Sequence, residues 1–258
     1  MKNKINTIRQ NFFIIRQISY KDGIKKTTET NLGFFWNIFN PLIYMMVLSL
    51  YYQNIVKHDI EKFPAFVFVG IIIYNFFNSA TKGAMKCLVA NKSLIIRAKV
   101  STDIFIFEKI FSAAKEAMYA FIAYIPIIIF FDVNLSWRVI TLIPIFLMMV
   151  FAICGMGKIL AVAYVYFADI DYLYSIFFML LFYVSGVFLP IDHMPEQYQT
   201  ILSYNPVFLS IYLTRNALLY NLPSYPTAWI KMLIWSISLM IVGTLMFNKN
   251  KNNIIGKL

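Results

Sequence analysis

The sequence predicts an all-α integral membrane protein. Six transmembrane helices are expected, with an N-terminal amphipathic interface helix and short outer gate helices between spans five and six. Three observations carry that prediction. Of the 258 residues, 60% are apolar and only 14% charged, against about a quarter charged in an average globular domain, and the mean hydropathy is +0.67. The apolar residues gather into runs near the roughly 20 residues a helix needs to cross a hydrocarbon core about 30 Å thick. The basic residues are dense in alternate inter-span segments and sparse in the others. The net charge of +11 sits beside apolar runs and not on a soluble basic face, so no nucleic-acid partner is expected. The chain reads as one transmembrane domain, 1–258.

The predicted spans cover 34–55, 63–80, 111–131, 140–167, 170–189 and 227–247. The fifth and sixth are the cleanest, and the second is the shortest. Period-2 alternation is absent, which argues against a membrane barrel. Seven lysines and arginines precede the first span, and seven more fall between Lys82 and Lys115. With Lys158 and three in the tail, eighteen of the 23 lie on one side; Lys57, Lys62, Arg138, Arg215 and Lys231 lie on the other. The positive-inside rule then makes both termini cytoplasmic.

Ahead of the first span, Ile5, Ile8, Phe12, Ile15 and Ile18 share a helical face flanked by Arg9 and Arg16. Residues 1–32 are read as an interface helix drawn to anionic membrane lipids; a basic leader that only sets topology is the plainer reading. Asn, Gln and Thr interrupt this stretch and no small-residue cleavage site follows, so no signal peptide is expected. Between the second and third spans, Lys82, Lys86, Lys92, Arg97 and Lys99 alternate with Leu88, Val89, Leu94, Ile95 and Ile96. Asn91 and Ser93 are placed to cap a short helix, which suits docking to a soluble partner or simple anchoring. The third span is too short from Ala117 onward, so its helix should begin earlier. Lys115 and Glu116 then lie near the headgroups. Lys158 falls deep in the fourth span. It is either inside the hydrocarbon, facing protein, or interfacial where the span ends at Gly157.

After the fifth span, Pro190, Asp192, His193, Pro195 and Glu196 precede Asn205-Pro206 and a segment carrying Arg215. Pro195 opens one short helix and Asn205-Pro206 ends it, giving two outer helices within 190–220. His193 has no partner at metal-ligand spacing and is read as a loop residue. Cys87 and Cys154 have no metal or redox spacing and are read as free thiols. Aromatics make up 18% of the chain. Phe35, Trp36, Tyr44 and Tyr51 on the first span, with Tyr172, Tyr174, Phe178, Phe182 and Tyr183 on the fifth, exceed an interfacial belt. Such rings pack helices, and they also stack on the apolar faces of sugars, as a slide for a glycan requires. No G-x-x-x-x-G-K-[ST] occurs, and neither a catalytic triad nor a metal cluster is evident. Asp169 and Asp171 form a D-x-D at a cytoplasmic helix end. The pair is either a solvated turn or the metal site of a glycosyl- or prenyl-phosphate transferase.

The run Leu32-Gly33-Phe34-Phe35-Trp36-Asn37-Ile38-Phe39-Asn40-Pro41-Leu42 resembles the opening of the first span in type-2 ABC exporter permeases for polysaccharides. The block from Pro190 to Arg215 resembles that family's outer gate. Phe167-Ala168-Asp169 stands where the family has Phe-Arg-Asp, and Asp22 and Lys26 match its basic lead-in. Thr27-Thr28 replace a Tyr-Lys pair, and Val100-Ser101-Thr102 lacks the family's aromatic-proline segment. The resemblance implies a non-catalytic permease, two copies of which pair with two separate ATP-binding cassette subunits in the bacterial inner membrane. It implies a coupling helix within 91–103, with Asn91, Arg97, Lys99 and Asp103 toward the ATPase. ATP and Mg would be bound by that partner, leaving no cofactor in this chain. The implied substrate is a lipid-linked glycan of O-antigen, capsule or teichoic-acid type; export of drugs or small lipids is the alternative within transport.

Overall fold

The computed structural model describes residues 2–28, 35–51, 62–98, 101–188 and 195–257. Leu, Ile, Phe, Val and Ala fill the long apolar stretches, and these fold as helices with no strand among the described residues. In chain order they are α1 (Lys2–Thr28), α2 (Trp36–Tyr51), α3 (Phe63–Ala90), α4 (Lys92–Ala98) and α5 (Thr102–Phe130). A 3-10 turn (Trp137–Thr141) leads into α6 (Leu142–Tyr166), followed by α7 (Ile170–Val184), α8 (Glu196–Leu202) and α9 (Pro206–Arg215). A π turn (Asn216–Tyr220) then precedes α10 (Pro226–Lys257).

Four helices are long and apolar enough to cross a membrane among the described residues: Phe63–Ala90, Thr102–Phe130, Trp137–Tyr166 and Pro226–Ile254. Against the expectation of six full spans, the described residues hold four such helices and two shorter apolar ones, Ile38–Tyr51 and Ile170–Val184. The fifth predicted span is the main correction. Its helix stops at Val184, because the chain turns at Ser185 and Gly186 takes φ 65, a conformation that only glycine adopts without strain. Its 15 residues rise about 22 Å, less than a hydrocarbon core. The second predicted span errs the other way. It continues ten residues past Ala80, because Ala84, Met85, Cys87 and Leu88 bury one face there, so the basic segment from Lys82 is mostly helix and not loop. The third helix does begin early, at Thr102. The predicted 1–32 helix is described over Lys2–Thr28; residues 29–32 lie outside the described residues.

α3 is the central element, buried along almost its whole length. It packs on α5 and α6 most extensively, and also on α2, α9 and α7. Stacked rings tie these pairs: Phe68 on Tyr124, Phe76 on Phe146 and Phe77 on Phe178. α6 and α10 form the closest pair. A Cβ on Gly155 would overlap the Leu239 carbonyl, and one on Gly243 would overlap Gly155, so the two backbones meet as small residues allow in membranes. α1 lies against α5, with Phe12 edge-on to Phe111.

Candidate functional site

Two faces and two polar clusters hold the residues of interest. Phe35 just ahead of α2 and Trp36, Tyr44 and Tyr51 on it are all exposed, Tyr44 at 61%. On α7, Tyr172 and Tyr183 are exposed, while Phe182 is half-buried between Tyr74, Tyr183 and Phe188. Phe178 is corrected outright. It is 2% exposed and packs on Tyr74, Phe77 and Tyr174, so its ring joins helices and offers no face to a substrate. Tyr174 is buried likewise, its hydroxyl bonded to Thr81, and the Tyr74 hydroxyl donates to the Phe178 carbonyl.

At the lysine-rich end, α3 stops at Asn91. That residue donates both its backbone N–H and its side-chain amide to the Cys87 carbonyl, closing the helix. α4 follows at once. Ile95 anchors it inward, while Leu94, Ile96, Lys92 and Arg97 stay exposed. Lys99 lies outside the described residues. Asp103 sits in the first turn of α5 and departs from its expected role as an outward contact. Its carboxylate meets Lys158 at 3.4 Å and Lys251 at 3.5 Å.

Lys158 thereby resolves as an inward lysine. It is 4% exposed, donates to Thr244 at 3.3 Å, and lies over the rings of Phe107 and Phe247. An ammonium among helices needs an acid and polar neighbours to offset lost hydration, and Asp103 and Thr244 supply them. Two ion pairs sharing Asp103 thus join α5, α6 and α10. A second relay lies nearby: buried Glu108 pairs with Lys109 at 3.1 Å and accepts from Ser112, whose hydroxyl meets Ser19 of α1 at 2.6 Å.

Asp169 is exposed at the start of α7. Asp171 pairs with Lys86 at 2.6 Å and approaches Lys82 at 3.9 Å. The two carboxylates therefore do not face one open site.

At the opposite end Arg215 organises the chain. It is buried, and its guanidinium donates to the carbonyls of Phe66, Gly186 and Val187 while covering the Phe66 ring at 3.3 Å. Burial lowers its pKa from the ordinary value to about 9, with Tyr220 and Tyr124 opposing, so it stays charged at neutral pH. The carbonyls freed where α7 breaks are thus satisfied by a cation from α9. Asn205 caps α9 by accepting from Val207 and Phe208, and Pro206 fills the first helical position. α8 opens after Pro195 with Glu196 exposed. Pro190 and His193 lie outside the described residues.

Sequence reasoning missed the partners of Lys158 and Arg215. The signal for the first was present: Gly155 and Gly157 just before a lysine mark a close helix approach. Glu108 and Ser112 share a helical face four residues apart, but nothing local names Ser19.

Residues 16–219 match the family described as ABC-2 type transporter. The chain is 24% identical over 248 residues to the O-antigen export system permease protein RfbA of Klebsiella pneumoniae, covering 93% of each chain. It is 23% identical over 201 residues to the polysialic acid transport protein KpsM of Escherichia coli, covering 73% of this chain and 74% of that one. It is also 25% identical over 198 residues to the capsule polysaccharide export inner-membrane protein BexB of Haemophilus influenzae, covering 75% and 74%.

Proposed function

The chain belongs to the ABC-2 type transporter family, and on that premise we propose that it is the permease subunit of an ATP-driven polysaccharide exporter. Its substrate is a lipid-linked glycan, moved across the bacterial cytoplasmic (inner) membrane. The observation that carries this reading is the match to an O-antigen export permease over 93% of both chains. The exposed rings of α2 and α7 supply suitable chemistry, since aromatic faces stack on sugars without demanding one hydrogen-bond pattern.

Two copies of the chain pair with two separate ATP-binding subunits, which hold ATP and Mg. Both termini are cytoplasmic, and the α2 and α7 regions complete six spans. α4 seats in the ATPase through Leu94, Ile96 and Arg97. Nucleotide binding favours one permease state only through differential contacts, and Asp103, five residues after α4, ties α5 to α6 and α10. α8 and α9 form the outer gate, with Arg215 as its inner strut.

Deletion of the gene tests this reading. Surface glycan should vanish while lipid-linked polymer builds up on the cytoplasmic leaflet. The transferase alternative is weakened because Asp171 is already held by Lys86. In an Asp169→Asn, Asp171→Asn strain a permease still allows the polymer to be made; a transferase would abolish it, and that result would overturn the proposal.

A further inference from the structure

α7 is fastened differently at its two ends. At the outer end, the buried Arg215 guanidinium holds the Gly186 and Val187 carbonyls just past the helix. At the inner end the fastening is a polar seam on α3. Asp171, in the first turn of α7, pairs with Lys86 at 2.6 Å. One turn on, Ser175 accepts from Lys82 at 2.9 Å, and Thr81 bonds the Tyr174 hydroxyl. Lys82 and Lys86 stand one turn apart on α3, and like charges at that spacing repel, so Asp171 draws both toward α7. The two lysine side chains are each 41% exposed and Asp171 is 21% exposed. Water therefore competes for this pair, as it cannot for the buried contact at Arg215. The labile end is also the end nearest α4. Lys86 lies in the last turns of α3, and Asn91 alone separates that helix from Lys92. Away from the seam, Tyr172, Leu173, Ile176 and Leu180 are exposed.

We propose that Lys86 is a positioning residue: through Asp171 it carries a displacement of α4 to the inner end of α7, which turns about its fixed end at Arg215. The proposal rests on the reading of α4 as the ATPase-facing helix, and it names how that contact reaches the exposed rings of α7. The test uses the full complex with its ATP-binding subunit in lipid nanodiscs. Cys87 and Cys154 are both buried, so Leu173→Cys places one accessible thiol on α7. Its rate of maleimide labelling is read with and without a non-hydrolysable ATP analogue. A nucleotide-dependent change of about fivefold or more is expected, the lower end of ordinary allosteric coupling. Lys86→Met should abolish both that change and export, while co-purification with the ATP-binding subunit persists. Lys86→Arg keeps the charge and should keep the response; a merely stabilising pair would shift the melting curve and leave the response in place. Asp171→Asn should reproduce Lys86→Met, and the two together should be no worse than either alone. If Lys86→Met fails to fold, Asp171→Asn decides. A response that survives either substitution, a thiol that never responds, or loss of ATPase association in either variant overturns the inference. Failure of the export reading looks different: gene deletion would leave surface glycan unchanged.

Discussion

The α6–α10 pair and the α2–α7 faces treat apolar surface in opposite ways. In the first, Gly155 and Gly243 bring two backbones into contact, and a buried lysine is matched by an aspartate and a threonine from neighbouring helices. In the second, α7 is short, and Tyr44, Tyr51, Tyr172 and Tyr183 are exposed. Exposed hydroxylated rings suit the headgroup interface and, on the proposed reading, a sugar as well. On the proposed reading, the first region holds shape and the second is available to a second copy and a substrate. Substitutions should therefore cost stability in one region and transport in the other.

The largest effect is expected at the helix contact. Gly155→Leu drives a side chain into the backbone of α10, which rotamer changes cannot relieve, so destabilisation should exceed the upper end of about 3 kcal/mol for overpacking. Loss of monodisperse protein in detergent would confirm it, and a normal melting curve would contradict the packing.

Arg215→Met comes next, at about 3 kcal/mol, because three carbonyls lose a charged donor together. Thermal unfolding reads the loss, and protease sensitivity near Gly186 should rise more than at α6.

Asp103→Asn should cost about 2 kcal/mol, below the figure for a fully buried pair, since the aspartate is partly exposed. The double change with Lys158→Met should recover much of that, because no buried charge is then left unmatched. Additive losses in the double-mutant cycle would show that the two residues act separately.

These predictions also mark what the sequence makes legible. Apolar length located the four long helices, because that signal is local, whereas Asn205-Pro206, read as the end of the first outer helix, is the cap and first position of α9. The break in α7 was missed although Ser185-Gly186 is plainly written there, since an unbroken apolar run masked the turn. Phe178 was misassigned because a seven-residue stretch rich in rings has aromatics on every side of a helix, and only packing decides which turn inward. Partners such as Asp103 and Lys158, or Ser19 and Ser112, lie on different helices, and periodicity within one helix says nothing about them.

The smallest effect on stability and the sharpest test of the contrast belong to the exposed rings. Tyr44→Ala combined with Tyr183→Ala should leave the melting temperature almost unchanged, within about 0.5 kcal/mol for each surface substitution. Export of the glycan to the cell surface should fall, with lipid-linked polymer retained inside. The measurement is surface glycan per folded permease in that double variant. A marked drop at unchanged stability is the predicted result; full export with intact fold would contradict the assignment of these faces to the substrate.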